Sequence, residues 1–308
     1  MFRLAHISDP HLAPLPRPTV RQLLSKRVTG FLSWSYKRHA IHRTEVLEAL
    51  MDDLRRQQTD HLVVTGDLVN ISLPEEFERS GAWLRRLGPP DDITVVPGNH
   101  DAYVQIPWEQ SWQHWADYMA DERDGTPRPA QGFDDFPFVR VRGRVALVGA
   151  SSGLPTPPFM ASGSLGDAQR QRLEERLRAL GQEGLFRIVL IHHPPLRSQT
   201  KWRKCLMDSA AFVETVSRAG AELVLHGHMH HYQAVTINPD GRAIPVFGVT
   251  SVSGIDPSKG PDHQAAYHLY EISDSGNGWD VRMTARGLDQ AGGTVRDTVE
   301  RRLSLPIS

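Results

Sequence analysis

Five short stretches concentrate side chains that hold metals or move protons: Asp9 and His11 in SDPH, Asp67 in GDLVN, Asn99 and His100 in GNHD, His192 and His193 in HHPP, and His228 and His230 in GHMH. Imidazoles, carboxylates and one carboxamide, with no thiolate, suit Mn, Fe, Zn, Co or Ni. Oxygen-only sets would suit Mg or Ca, and cysteine-rich sets structural zinc. Even seven or eight of these nine side chains exceed what one ion of about four to six ligands uses, so two divalent ions per chain are implied. Asp67, with two carboxylate oxygens, is the natural bridge. Two ions about 3.5–4 Å apart activate a water and neutralise the oxygens of a phosphoryl displacement. Taken singly each stretch has an ordinary explanation, since GD and GN are turn dipeptides and an Asp-x-His pair arises by chance. The inference rests on all five together, each directly after an apolar, β-branched run.

Those runs are the elements that must position the donors. RLAHIS, HLVVTG, ITVVPG, VALVGA, RIVLIHH, ELVLHGH, PVFGVTS, YHLYEI and DVRMTA read as strands, and stretches of helical period at 43–57, 75–87, 166–180 and 208–218 lie between several of them. Strands alternating with helices, followed by strands alone, predict an α/β sandwich. In open α/β sheets ligands bind beyond the carboxyl ends of strands, so donors distant in sequence can meet there. Gly98 is expected to allow the tight turn that presents Asn99 and His100.

The chain has 308 residues, 39% apolar and 23% charged, with a formal net charge of −1. This is the soluble globular range, and no global field announces a polyanionic partner. A single cysteine, Cys205, rules out an intramolecular disulfide. With neither a secretory leader nor an apolar run of membrane-spanning length, a cytoplasmic location is expected. We expect one domain over 1–288 and a polar tail at 289–308, helix-like through Val295, Val299 and Leu303.

In order along residues 9 to 230, DPH, GDLVN, GNHD, HH and GHMH resemble the five blocks of the calcineurin-like metallophosphoesterases. The resemblance implies a four-layer α/β/β/α sandwich of two mixed β-sheets flanked by helices. It also implies one ion held by Asp9, His11, Asp67 and His230, and a second held by Asp67, Asn99, His192 and His228, with Mn and Fe the first expectation. Phosphoryl transfer would proceed by attack of a metal-bridging hydroxide, with Asp67 as the bridge and His100, left free of metal, acting on substrate. Asn99, His100 and His193 are the expected substrate contacts. His193 either points away from its neighbour's face or lines the substrate rim, and His226 and His231 are expected to be structural or rim residues.

The wording is most similar to bacterial cyclic-nucleotide and glycerophosphodiester phosphodiesterases. GDLVNISLPEEF carries no arginine where the family's phosphoprotein phosphatases have one. A small phosphodiester is therefore expected, hydrolysed without a cationic clamp for a dianionic monoester. Two alternatives stand beside it: a pyrophosphatase of nucleotide-sugar lipids (UDP-diacylglucosamine type) at a membrane surface, and a non-catalytic binding scaffold. The insertion 13–43 holds seven Lys/Arg, no acid, and the aromatics Phe31, Trp34 and Tyr36. It is either a cap that packs its aromatics and leaves its bases solvated, or a rim recruiting an anionic substrate or touching a membrane through 17–38. Nucleic acid is disfavoured, and the oligomeric state is open.

Overall fold

Along Phe186–Leu190 the side chains alternate between two cores: Phe186, Ile188 and Leu190 join one apolar cluster and Val189 the other. A strand buried on both faces reads as a continuous apolar run, and this one fixes the layering of the molecule. The computed structural model describes residues 1–123, 125–238, 242–256, 258–288 and 294–306.

Among the described residues twelve strands form two mixed sheets: β1 (Phe2–Ile7), β2 (His61–Val64), β3 (Ile93–Val95), β4 (Phe138–Arg142), β5 (Val145–Gly149), β6 (Phe186–Leu190), β7 (Leu223–His226), β8 (Gln233–Ile237), β9 (Ile244–Gly248), β10 (Ala266–Asp274), β11 (Gly278–Leu288) and β12 (Val295–Pro306). The first sheet runs β12-β11-β10-β1-β2-β3 and the second β4-β5-β6-β7-β9-β8. β1, β2 and β3 are mutually parallel, as are β5, β6, β7 and β9. The carboxyl ends of β1, β2, β3, β6 and β7 lead into the five donor stretches.

Helices α1 (Val20–Leu23), α2 (Arg27–Ser33) and α3 (His39–Ile41) lie in the insertion, with a π-helical turn at Trp34–Arg38. The other four are α4 (Thr44–Arg56), α5 (Pro74–Leu87), α6 (Asp167–Gln182) and α7 (Ser209–Ala219), each within about two residues of its predicted range. Val46, Leu50 and Leu54 of α4 and Phe77 and Leu84 of α5 pack into the cluster that contains the first sheet. Leu173, Leu177 and Leu180 of α6 meet Phe212 and Val216 of α7 over the second. The expected four-layer sandwich is observed.

The insertion at 13–43 is mostly helical. One expectation needs correction. The stretch at 295–303 is not a helix but part of β12, paired antiparallel with β11. Val295, Val299 and Leu303 recur every four residues, a spacing that fits one helix face and equally one face of a strand, and all three pack on the first core. Of the expected tail, residues 289–293 and 307–308 lie outside the described residues. Among the described residues no helix is long and apolar enough to cross a membrane.

Between the sheets, His268 on β10 faces His6 on β1 and is buried. Burial, reinforced by nearby His226, depresses its pKa to about 3. A histidine whose folded pKa lies below its unfolded value of about 6.5 binds its proton in the unfolded chain first. Its contribution is therefore complete above about pH 6.5 and is lost as pH falls toward 3, at about 1.4 kcal/mol per pH unit. Urea unfolding of wild type and His268→Gln across pH 7 to 4 should give a shallower pH slope for the variant; parallel slopes would show that folding leaves the pKa of His268 unchanged.

Candidate metal centre

Five of the seven expected ligands sit in a backbone conformation that side chains disfavour: Asp9 (φ 52°), His11 (41°), Asp67 (57°), His228 (69°) and His230 (53°). Each costs on the order of 1–3 kcal/mol, and such strain persists where the surrounding structure enforces it at functional sites. The loops are locked together by Asp101, whose buried carboxylate accepts the backbone N–H of Asp67 (2.7 Å), Gly98 (2.7 Å) and Val69 (3.1 Å). Burial and the Asp67 charge push its pKa up to about 7 despite those donors. Glu76 does the same for the next turn, accepting from Asn70, Ile71 and Leu73. Gly98 is required by close approach rather than by its turn angle: a Cβ there would lie 2.2 Å from Asp67 Oδ1.

The donors form two groups. In the first, His230 Nε2 lies 3.0 Å from Asp9 Oδ1 and 3.4 Å from His11 Nε2, which is itself 3.8 Å from Asp9 Oδ1. In the second, His192 Nε2 lies 3.1 Å from Asn99 Oδ1, 3.2 Å from His228 Nδ1 and 3.4 Å from Asp67 Oδ2. Asp67 Oδ2 is also 3.8 Å from His11 Nε2. Its other oxygen, Oδ1, accepts the His100 backbone N–H at 2.7 Å, so a single oxygen faces both groups where two had been expected to share the bridge.

The protonation pattern fits cations. His11 Nδ1–H donates to Val69 O (3.2 Å) and His192 Nδ1–H to Thr65 O (2.6 Å), because a carbonyl can only accept. Each ring therefore turns Nε2 inward, toward other lone pairs, and such convergence is stable only around a positive charge. Burial would push the Asp9 carboxyl up, but His230 beside it outweighs that and holds it well below the usual range. His192 is buried as well, yet the Asp67 carboxylate holds it up at about 9: the bare site keeps a proton where a metal would displace one. Asp9, His11, Asp67 and His230, and Asp67, His192 and His228, each offer ligand atoms within 4.8 Å of one another.

His100 stands beside these groups on the wall of a cleft of about 920 Å³ that also exposes Asp67, Asn99, His228 and His230. Its Nδ1–H donates to Asn70 O (2.5 Å) and its ring stacks on Tyr103. Burial first, then the charge of Arg38, hold it well below the usual histidine pKa.

Other placements differ from expectation. His193 is not on the cleft: it is fully buried, with Nδ1 2.7 Å from Ser152 Oγ and Nε2–H donating to Ala161 O at 3.2 Å. Both ring nitrogens are used internally, and the ring backs His228 at 4.6 Å between centroids. His226, expected to be structural or at the rim, is buried and accepts from Gln199 Nε2 at 3.0 Å.

The stretch after Asp67 holds no arginine, as read, but the expected absence of a cationic group from the site is corrected by one from another segment. Arg38, from the π-helical turn, places Nη2 2.9 and 3.0 Å from the two nitrogens of His11 and Nη1 3.2 Å from both nitrogens of His100. Being about equidistant from both nitrogens of each ring, the guanidinium packs against the imidazoles at the cleft wall. His42, just beyond α3, was missed too. Its Nδ1 lies 2.9 Å from Ser253 Oγ, and it groups with His11 and His230 as a further candidate ligand. Gly30, Trp34, Arg38 and His42 recur every fourth residue, so the helical fold of the segment turns all four to one side. Gly30 and Trp34 are buried, and Trp34 lies parallel to the His42 ring.

A family model described as calcineurin-like phosphoesterase matches residues 2–232. The chain belongs to that family. It is similar to a probable cyclic nucleotide phosphodiesterase of Synechococcus sp., 24% identical over 243 residues that cover 74% of this chain and 72% of the relative. A 3',5'-cyclic-nucleotide phosphodiesterase of Nostoc sp. is 25% identical over 205 residues, covering 64% of this chain and 66% of the relative. Among solved structures, a dimetal phosphatase from Danio rerio superposes over 100% of this chain and 99% of its own (TM-score 0.62, 13% identity). A purple acid phosphatase from yellow lupin (Lupinus luteus) does so over 99% of this chain and 54% of its own (TM-score 0.61, 13% identity). At such identities the structures speak for the fold alone, while the family implies divalent ions and makes a phosphoester hydrolase the expected class.

Replacing Asn99 by Ala removes a donor from the second group only. Metal analysis of Asn99→Ala should find one ion depleted and the other retained; equal loss of both would contradict the division into two groups.

Proposed function

We propose that this protein is a two-metal phosphodiesterase acting on a small diester, a cyclic nucleotide or a glycerophosphodiester. The observation that carries the reading is the pair of nitrogen-and-oxygen donor groups that share Asp67 Oδ2 at the wall of an open cleft. In this reading Asp9, His11, Asp67 and His230 hold one ion, and Asp67, Asn99, His192 and His228 the other. Manganese and iron are the first candidates for a sulfur-free set of this kind, with zinc, cobalt and nickel next. The ions would supply Lewis-acid polarisation of the phosphoryl group and activation of the attacking water.

The chain's own residues do the rest. His100, its Nδ1–H tied to Asn70 O, has only Nε2 left for substrate. An anionic phosphate entering the cleft raises the pKa of that ring, so the imidazole gains a proton when it has a leaving alkoxide to receive it. Arg38 donates to a phosphoryl oxygen beside His100. The diester preference is supported by the names of both curated relatives and no longer by the lack of an arginine. A scaffold role is disfavoured because every expected ligand position is filled by a competent donor.

Manganese-reconstituted protein should hydrolyse bis-p-nitrophenyl phosphate, cyclic AMP or a glycerophosphodiester ahead of p-nitrophenyl phosphate; a monoester preference would overturn the diester assignment and make Arg38 the clamp of a dianion. His100→Ala should retain its metals and lose about 10²-fold or more in kcat, whereas loss of metal in that variant would make His100 a ligand.

A further inference from the structure

The mouth of the cleft combines an excess of cations with exposed apolar side chains. The segments 13–43 and 194–207, which face each other across it, carry seven and four Lys/Arg and no acid, and the intervening rim 153–165 has no charged residue, in a chain of net charge −1. Arg17, Arg21, Lys37, Lys201 and Arg203 are exposed. The insertion also carries large apolar side chains held mostly in solvent, Val20 (80%), Leu24 (82%) and Tyr36 (84%), and on the facing side of the cleft Phe159 (79%) and Trp202 (65%) are exposed as well.

The helical segment is built to present this face. Val28, Leu32 and Tyr36 recur every fourth residue and are exposed, while Gly30, Trp34 and Arg38, offset by two, turn toward the protein. The segment is also pinned in place. Lys26 Nζ donates to Thr156 Oγ1 (2.7 Å) and Met160 O (3.0 Å), and Arg27 Nε donates to Ile71 O (3.1 Å). Gly30 packs so closely on Ile71 and Tyr103 that a Cβ would lie 2.5 Å from Ile71 Cγ2. The outward apolar residues are therefore held out on a fixed frame. Single exposed apolar residues need no explanation, but a clustered set of aliphatic and aromatic groups ringed by cations marks an interaction site.

We infer that this face docks on an anionic lipid bilayer, with the cleft opening toward the headgroups. Exposed cations are drawn to the negative surface, and the aliphatic and aromatic side chains enter the headgroup boundary. A nucleic acid would use the cations and stack on the aromatics, but it has no use for Val20, Leu24, Val28 and Leu32. The inference rests on the charge and exposure of the mouth, independently of the reaction assigned to the cleft. It also gives the 13–43 insertion two sides: Arg38 and His42 toward the donors and an apolar stripe toward lipid.

The test is sedimentation of the metal-loaded full chain with vesicles of phosphatidylcholine alone or mixed with phosphatidylglycerol. Wild type should sediment with the mixed vesicles, less so as salt rises, and not with the neutral ones. Leu24→Asp/Tyr36→Asp should lose at least about tenfold in partitioning while hydrolysing bis-p-nitrophenyl phosphate as wild type does, which also verifies its fold. Sedimentation with neither vesicle, or binding that the variant retains, overturns the inference. So does light scattering that finds a dimer which the double substitution dissociates, since the face would then belong to a second copy of the chain.

Discussion

Asp67 Oδ1 accepts the backbone N–H of His100, and that one bond decides the geometry of everything around it. It ties the GD loop to the GNHD loop, turns Oδ2 toward both donor groups and sets His100 beside the point where they meet. Gly98 must lack a side chain for the carboxylate to lie there, and Asp101 closes the arrangement from behind by binding three backbone N–H groups of the same two loops. A carboxylate so constrained loses little further freedom when it is shared between cations, which is how a rigid frame prepares a metal site.

The sheets carry this arrangement because parallel strands from both of them end at one edge. Beyond their last ladder bonds the chain turns abruptly, and the left-handed backbone at Asp9, His11, Asp67, His228 and His230 aims each side chain inward. The strain is offset by packing beneath, where the two cores hold the strands in register. The insertion then covers one side of the centre. It brings a guanidinium to the proposed catalytic histidine and a further imidazole to the first donor group, and its outer surface faces away from the protein altogether.

Much of this was legible in the sequence because coordination chemistry restricts residue types more tightly than folding does. Donors directly after apolar runs announced where strands end, and the periods of α4 to α7 were those of helices with one buried face. What escaped did so for physical reasons. The spacing of Val295, Val299 and Leu303 is common to a helix face and a strand face, and only the free edge of β11 decides for a strand. The 13–43 segment inverts the usual helix pattern, with apolar residues outward and glycine and arginine inward, so its periodicity did not read as a packed helix. His193 follows the end of β6, where Ser152 and Ala161 satisfy both ring nitrogens and hold it off the cleft. Arg38 and His42 reach the centre only through that segment's fold, which no motif records.

In the proposed centre two ions share Asp67. Calorimetric titration of manganese into metal-free protein, read together with metal analysis of the purified chain, tests it directly. Wild type should bind two ions per chain and Asp67→Ala should lose affinity at both positions together; a single ion in wild type, or an Asp67→Ala variant that still holds two, would contradict the account.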